Sequence, residues 1–144
     1  MLAATRAGDG WLWYSLGLVI VLFGGHERFL ATAAAAIASL LSILGFQLLK
    51  RLTGRKRPCE LQPHCWATLL PPDQFSFPSG HTMTAFACAT AIAMFYPATA
   101  AALFFFAFSI AVSRIVLGMH FLSDVIAGAL VGALIGWAAC QPFV

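Results

Sequence analysis

Charge is what this sequence has least of. Of 144 residues only 9% are Asp, Glu, Lys or Arg, and only five are acidic, against about 25% charged in a typical soluble domain. With 61% hydrophobic residues, the chain has too little polar surface to cover a water-soluble globule of its size, which excludes most soluble enzymes. Basic residues are too few and too local for a nucleic-acid footprint, which needs them spread over a face. Lys50, Arg51, Arg55, Lys56 and Arg57 sit together, and the formal charge is only +3, so no nucleic-acid partner is expected. Internal repeats and low-complexity tails are missing, apart from an alanine bias in the apolar runs. Met1 to Gly10 lacks a basic leader and an Ala-x-Ala site, so no cleaved signal peptide is expected.

What is abundant is apolar sequence in long runs. A helix rising 1.5 Å per residue crosses a hydrocarbon core of about 30 Å in about 20 residues. Phe29 to Leu49, Ala98 to Leu117 and Leu122 to Cys140 fit that length. Thr82 to Tyr96 is shorter but is bounded by a Ser-Gly turn and Pro97. Trp11 to Phe23 is the shortest. The expected fold is therefore all-α, one polytopic transmembrane bundle over residues 1–144 with about five spans. Trp11, Trp13, Tyr14, Tyr96 and Trp137 lie where aromatic belts sit. Gly128, Gly132 and Gly136 recur every fourth residue, the spacing that lets a neighbouring helix approach closely; packing within the chain is expected rather than a dimer contact.

One long polar connection, Lys50 to Ser79, interrupts the runs. Prolines at 58, 63, 71, 72 and 78 bar a continuous helix through it, and loops this long are usually functional. Lys50 and Arg57 lie at and just beyond the end of the second run, and Pro78-Ser79-Gly80-His81 opens the third. Ser113-Arg114 closes the fourth, and His120 and Asp124 open the fifth. Alternating helix direction puts all of them at one membrane face.

Three cations converging where water is scarce mark a functional site. A tetrahedral dianion satisfies Lys50, Arg57 and Arg114 together, since arginine forks match phosphate oxygens. The helix opened by Ser79 and Gly80 aims free N–H groups and its positive end at the same anion. His120 and Asp124, four apart, share a helical face. Asp124 is expected to accept the Nδ1 proton of His120 and leave Nε2 as nucleophile. His81 is placed to protonate the leaving oxygen. His26 and His64, with no such neighbours, are expected to be ordinary polar residues.

The pattern Lys50-x6-Arg57-Pro58, Pro78-Ser79-Gly80-His81, Ser113-Arg114-x5-His120-x3-Asp124 resembles the three-part signature of the type 2 phosphatidic acid phosphatase and vanadium haloperoxidase superfamily. All eleven specified positions match. The resemblance implies phosphate binding by Lys50, Arg57 and Arg114 with hydrogen bonds from Ser79 and Gly80. It also implies a proton from His81, a phosphohistidine on His120 oriented by Asp124, and no metal or other cofactor, vanadate or a phosphate analogue acting only as inhibitor. The family bundle has six spans, so one fewer is expected here, at the N-terminal side.

The expected activity is hydrolysis of a phosphomonoester or diphosphate on a membrane lipid of the undecaprenyl diphosphate, phosphatidate or phosphatidylglycerophosphate type. A lipid phosphotransferase would use the same residues, and a vanadate-dependent haloperoxidase the same cradle; a noncatalytic lipid-binding protein would not need them. The expected location is the inner (cytoplasmic) membrane, crossed several times. Arg6, Arg51, Arg55 and Lys56 favour a cytoplasmic site by the positive-inside count, whereas the family and a possible Cys59–Cys65 disulfide favour the periplasmic face, which is the expectation adopted. With His64, the same cysteines would make a poor zinc site. Cys88 and Cys140 read as small packing residues. Trp66, Gln74, Phe75 and Phe77 are the loop's candidates for substrate choice.

Overall fold

The computed structural model describes residue 3, residues 6–58 and residues 74–143; Cys59, His64, Cys65 and Trp66 lie outside them. Among the described residues five α-helices follow one another: α1 Leu12–Phe23, α2 Arg28–Thr53, α3 Gly80–Phe95, α4 Ala100–Val116 and α5 Leu122–Cys140. A wide helical turn, Ala7–Trp11, precedes α1. Beyond helices and turns, the described residues hold one isolated antiparallel bridge, Lys56 to Phe75. The expected five runs all emerge as helices within a few residues of their sequence bounds. The segments Gly25–Thr53, Pro97–Val116 and Leu122–Phe143 are long and apolar enough to cross a membrane, while Gly8–Phe23 and Gly80–Phe95 are shorter. The chain is a multi-pass, all-α membrane protein.

Helix α3 is the hub. It buries residues around most of its circumference, from Gly80 and Thr82 through Phe86, Cys88 and Ile92, and α2, α4 and α5 all pack on it. A helix enclosed this way needs small residues on its neighbours, and they supply them. On α5 a Cβ added to Gly128 would lie 2.8 Å from the Ser79 carbonyl oxygen, and Cβ atoms on Gly132 and Gly136 would overlap the carbonyls of Met83 and Ala87. The glycine stripe is thus consumed within the chain. Ala31, Ala34, Ala38 and Ser42 form the buried face of α2. The large side chains point the other way: Leu122, Ile126, Leu130 and Leu134 on α5, and Leu40, Leu44 and Leu48 on α2, are exposed. Small residues inside and large apolar residues outside is the arrangement for packing in lipid, where burial of leucine gains nothing over contact with acyl chains.

One expectation about a single residue changes. Trp13, placed in an interfacial belt from sequence, is buried in the main core with Ile20 and Phe86, whereas Trp11, Tyr14 and Trp137 are exposed. The cause is helical spacing: Trp13 and Ile20 lie seven residues apart, on the inner face of α1, and Trp11 and Tyr14 do not. Tyr96 donates its hydroxyl hydrogen to the Gly24 carbonyl at 2.8 Å, tying the end of α3 to the α1–α2 turn at the far end of the bundle. His26 is exposed in that turn. Cys88 and Cys140 are buried free thiols.

Candidate active site

Four helix ends meet at one end of the bundle, and helix-capping geometry sets the spacing of the signature residues. Helix α4 stops at Gly118, which adopts φ +65°. The Gly118 N–H donates to Ile115 O at 2.9 Å and the Met119 N–H to Arg114 O at 3.1 Å, the paired bonds of a Schellman motif. The His120 N–H also donates to Arg114 O, at 3.3 Å. Arg114 and His120 are therefore joined through one backbone carbonyl. Helix α5 then starts: the Asp124 carboxylate accepts the Phe121 N–H at 2.8 Å, a side-chain cap that fixes Asp124 three residues after the helix boundary. The Ser79 N–H donates to Asp124 O at 3.0 Å, which docks the start of α3 on the start of α5.

The connection after α2 is pinned at both ends. Gly54, at φ +58°, ends α2, and its N–H donates to Lys50 O at 3.0 Å. The Ser76 N–H donates to Arg55 O at 2.7 Å, and Arg57 turns inward, 1% exposed. Lys50 is 6% exposed, with its Nζ 5.4 Å from the centre of the Phe46 ring. A Cβ on Gly80 would lie 3.1 Å from that ring, so Gly80 leaves room for Phe46 where α2 approaches α3. The Ser79 hydroxyl pairs with Thr82 Oγ1 at 2.9 Å and does not cap the first turn of α3.

Around His120 the hydrogen bonds define one tautomer. Nδ1 lies 2.7 Å from the Ser76 carbonyl, which can only accept, so Nδ1 carries the proton. Nε2 lies 3.3 Å from an Arg57 guanidinium nitrogen that also donates to Met119 O at 2.8 Å. Since arginine can only donate, Nε2 presents its lone pair. Burial, first, lowers the His120 pKa from 6.5 to about 4; the Asp124 carboxylate opposes this, and the charges of Arg57, Arg114 and Lys50 add to it. The ring is thus neutral at neutral pH.

The direct hydrogen bond expected between Asp124 and His120 Nδ1 is not formed. Asp124 Oδ2 is 3.8 Å from His120 Nδ1, beyond a hydrogen bond. The carboxylate accepts instead from the Ser76 hydroxyl and the Phe121 N–H, and from Arg55 at 2.7 Å. Ser76 intervenes because its carbonyl sits nearer Nδ1 than the carboxylate does, while its hydroxyl turns to Asp124. The carboxylate is linked to His120 through Ser76, which donates its hydroxyl to Asp124 and faces Nδ1 with its carbonyl.

The eight residues singled out from sequence, Lys50, Arg57, Ser79, Gly80, His81, Arg114, His120 and Asp124, all come together at this end. Lys50 and Arg114 act electrostatically on both His81 and His120. The arrangement brings together a neutral imidazole with its Nε2 lone pair available, three buried cations and a helix start without a side-chain cap. The family model described as PAP2 superfamily matches residues 29–143. The chain belongs to the PAP2 superfamily. It is 48% identical over 65 residues to the lipid A 1-phosphatase of Porphyromonas gingivalis, covering 42% of this chain and 15% of that protein. To the Mycobacterium tuberculosis decaprenylphosphoryl-5-phosphoribose phosphatase it is 34% identical over 132 residues, 88% of this chain and 68% of that one. The crystal structure of Aquifex aeolicus LpxE superposes with a TM-score of 0.81 at 29% identity, over 97% of this chain and 82% of the other. The chain spans from 15% to 39% of the length of the lipid A 1-phosphatases it matches.

Sequence reasoning missed three residues of this PAP2 site. Ser76 sits two positions before Pro78 in a stretch without periodicity and carries no signal of its own. Arg55 enters the sequence reading only through the positive-inside count, yet it pairs with Asp124 and lies over the Phe121 ring at 4.4 Å. Asp9, in the turn before α1, lies 2.7 Å from His81 Nε2. Among the loop candidates, Gln74 is exposed while Phe75 and Phe77 are half-buried.

Proposed function

We propose that this PAP2 protein is a metal-independent membrane lipid phosphatase, hydrolysing a phosphomonoester or diphosphate of a membrane lipid through a phosphohistidine on His120. The observation that carries the reading is the state of His120: neutral, protonated at Nδ1, with the Nε2 lone pair beside the Arg57 guanidinium. Lys50, Arg57 and Arg114 hold the phosphoryl oxygens, with hydrogen bonds from Ser79 and the first-turn amides after Gly80. His120 Nε2 attacks phosphorus, the bond to the lipid oxygen breaks, and His81 gives that oxygen a proton. Water, deprotonated by His81, then attacks the phosphohistidine, releasing phosphate and restoring His120.

The lipid character of the substrate is supported by an apolar slot of about 370 Å³ between α1, α2 and α3, lined by Trp13, Ile20, Val21, Ala35, Ala36 and Ile92. A second cavity of about 300 Å³ shares Trp13, Tyr14 and Ser39 with it and reaches Gly80 and His81. One hydrocarbon chain lies along this path while its phosphate reaches the cations. The PAP2 relatives named for lipid A and decaprenylphosphoryl substrates fit the same class, and a prenyl diphosphate such as undecaprenyl diphosphate, phosphatidate and phosphatidylglycerophosphate belong in the test panel.

The site is assigned to the periplasmic face of the cytoplasmic membrane. The positive-inside argument against that face loses Arg55, which is engaged by Asp124. Labelling of Cys59 in intact cells by a membrane-impermeant thiol reagent after reduction supports the assignment; persistent protection overturns it. The activity is tested by phosphate release from the lipid panel in EDTA. Release that persists in EDTA and disappears in His120→Ala is expected. Loss of release in EDTA, or turnover by His120→Ala, refutes the reading.

A further inference from the structure

The PAP2 signature assigns no partner to His81, and residue 9 lies outside the 29–143 match. Yet the turn Ala7–Trp11 is built against this histidine. Gly10, at φ +107°, breaks the turn from α1. A Cβ on Gly8 would lie 3.1 Å from His81 Cδ2 and 2.9 Å from Ile110 Cγ2, so any larger residue here presses on both side chains. Between the two glycines, Asp9 Oδ1 reaches His81 Nε2 at 2.7 Å. The charged groups that act on His81 are Asp9 from the turn, Lys50 from α2 and Arg114 from α4: one anion against two cations.

We propose that Asp9 is the positioning residue of the general acid, holding His81 by Nε2 so that Nδ1 is the nitrogen presented to the leaving oxygen. The proposal rests on the reading of His81 as that acid. In the protonated ring, Nε2–H stays on the Asp9 carboxylate and Nδ1–H passes to the lipid oxygen as its bond to phosphorus breaks. The ring is left neutral, its remaining proton still on Nε2. Nδ1 then takes a proton from water as the water oxygen bonds to phosphorus and the bond from phosphorus to His120 Nε2 breaks. Phosphate leaves, and the His81 imidazolium is restored on the same carboxylate. Without Asp9 the ring has no fixed orientation, and its positive form stands against Lys50 and Arg114 alone.

The test compares two substrates in detergent with the full chain: a long-chain alkyl phosphate, whose alkoxide must be protonated to leave, and a nitrophenyl phosphate with the same alkyl tail, whose phenolate leaves unaided. Asp9→Asn is expected to lower kcat/KM, which reports the step that expels the leaving group and not the later attack of water, on the alkyl phosphate by about tenfold or more, up to the roughly 10²–10⁴ that a general acid supplies. It leaves kcat/KM for the nitrophenyl substrate within about twofold, and Asp9→Glu restores much of the loss. His81→Ala shows the same discrimination more strongly, and adding Asp9→Asn to it costs nothing further. If His81→Ala discriminates in kcat/KM while Asp9→Asn lowers kcat/KM for both substrates equally, lowers neither or raises it for the alkyl phosphate, the role given to Asp9 is overturned. If His81→Ala does not discriminate, the general-acid reading fails, and the Asp9 assignment falls with it.

Discussion

Replacing Asp124 by Asn separates two accounts of how the carboxylate serves His120. In a triad where the carboxylate bonds the imidazole directly, the amide sets the wrong tautomer and costs about 10⁴ in kcat. Here the Nδ1 proton is held by the Ser76 carbonyl and the Nε2 lone pair by Arg57, so the tautomer survives the change. What is lost follows from the three donors around the carboxylate: the Ser76 hydroxyl, the Phe121 N–H and Arg55. An asparagine keeps its oxygen toward Ser76 and Phe121 and turns its NH₂ toward Arg55, where it faces another donor. One charge-assisted bond of roughly 1.5–3 kcal/mol disappears. At about 1.4 kcal/mol per decade, its full effect on the reaction is about 10- to 150-fold. Arg55 is 40% exposed, and solvent screening draws the value toward the lower end. The expected result is thus a fall in kcat of about tenfold, and no more than about 150-fold, with KM little changed. The assay is phosphate release from a lipid phosphate in detergent, alongside thermal unfolding to confirm that the variant folds. A loss near 10⁴ in a folded variant refutes the relay through Ser76 and returns Asp124 to direct contact with the imidazole.

The histidine itself is open to spectroscopy. With its pKa held at about 4 against 6.5 in an unfolded chain, His120 stays neutral through pH 6, and ¹⁵N spectra of histidine-labelled protein, assigned with His120→Gln, should place the proton on Nδ1; a midpoint between 6 and 7 refutes this. Between those two pKa values the unfolded chain binds the proton and the folded chain does not, so the His120 contribution to stability is complete above about 6.5 and is lost as pH falls toward 4. At the α3–α5 contact, Gly132→Ala drives a Cβ into the Met83 carbonyl and should cost roughly 1–3 kcal/mol, read as a lower melting temperature. Gly17→Ala, which enters open space, should not lower it; equal behaviour of the two refutes the role of the stripe.

The helices were legible because each is apolar along its length and its ends carry glycine, proline or serine. The spacing of the third signature element was legible as a motif, and its physical basis lies in two helix caps. Arg114 and His120 are separated by the length of a Schellman turn at Gly118, and Asp124 is set by the cap of α5 on Phe121. The His120–Asp124 pairing was misread because a spacing of four fixes a shared face only inside a continuous helix. His120 lies one residue before the cap of α5, so its ring swings away from the helical position and meets the Ser76 carbonyl. Trp13 failed for a related reason, since an aromatic cluster in sequence does not reveal which member faces inward.

Scarce acids carry a further lesson. Of the five acidic residues, Asp9 and Asp124 lie at the site, one on His81 and the other behind His120. Lys50, Arg57 and Arg114 are buried there together, and each imidazole stands beside their charge. A carboxylate in either place offsets part of that field and fixes hydrogen-bond geometry. They differ in exposure: Asp124 is fully buried and bonded to three donors, whereas Asp9 is 53% exposed in a turn preceding α1. Deleting Asp124 therefore strips a buried network, while deleting Asp9 acts on His81 with little effect on the fold. Only the first kind of carboxylate announces itself through a motif, because caps and helix faces fix its distance from the histidine along the chain. The second reaches its histidine across 72 residues of sequence, a distance set by the packing of the N-terminal turn on α3 and α4 rather than by any local spacing.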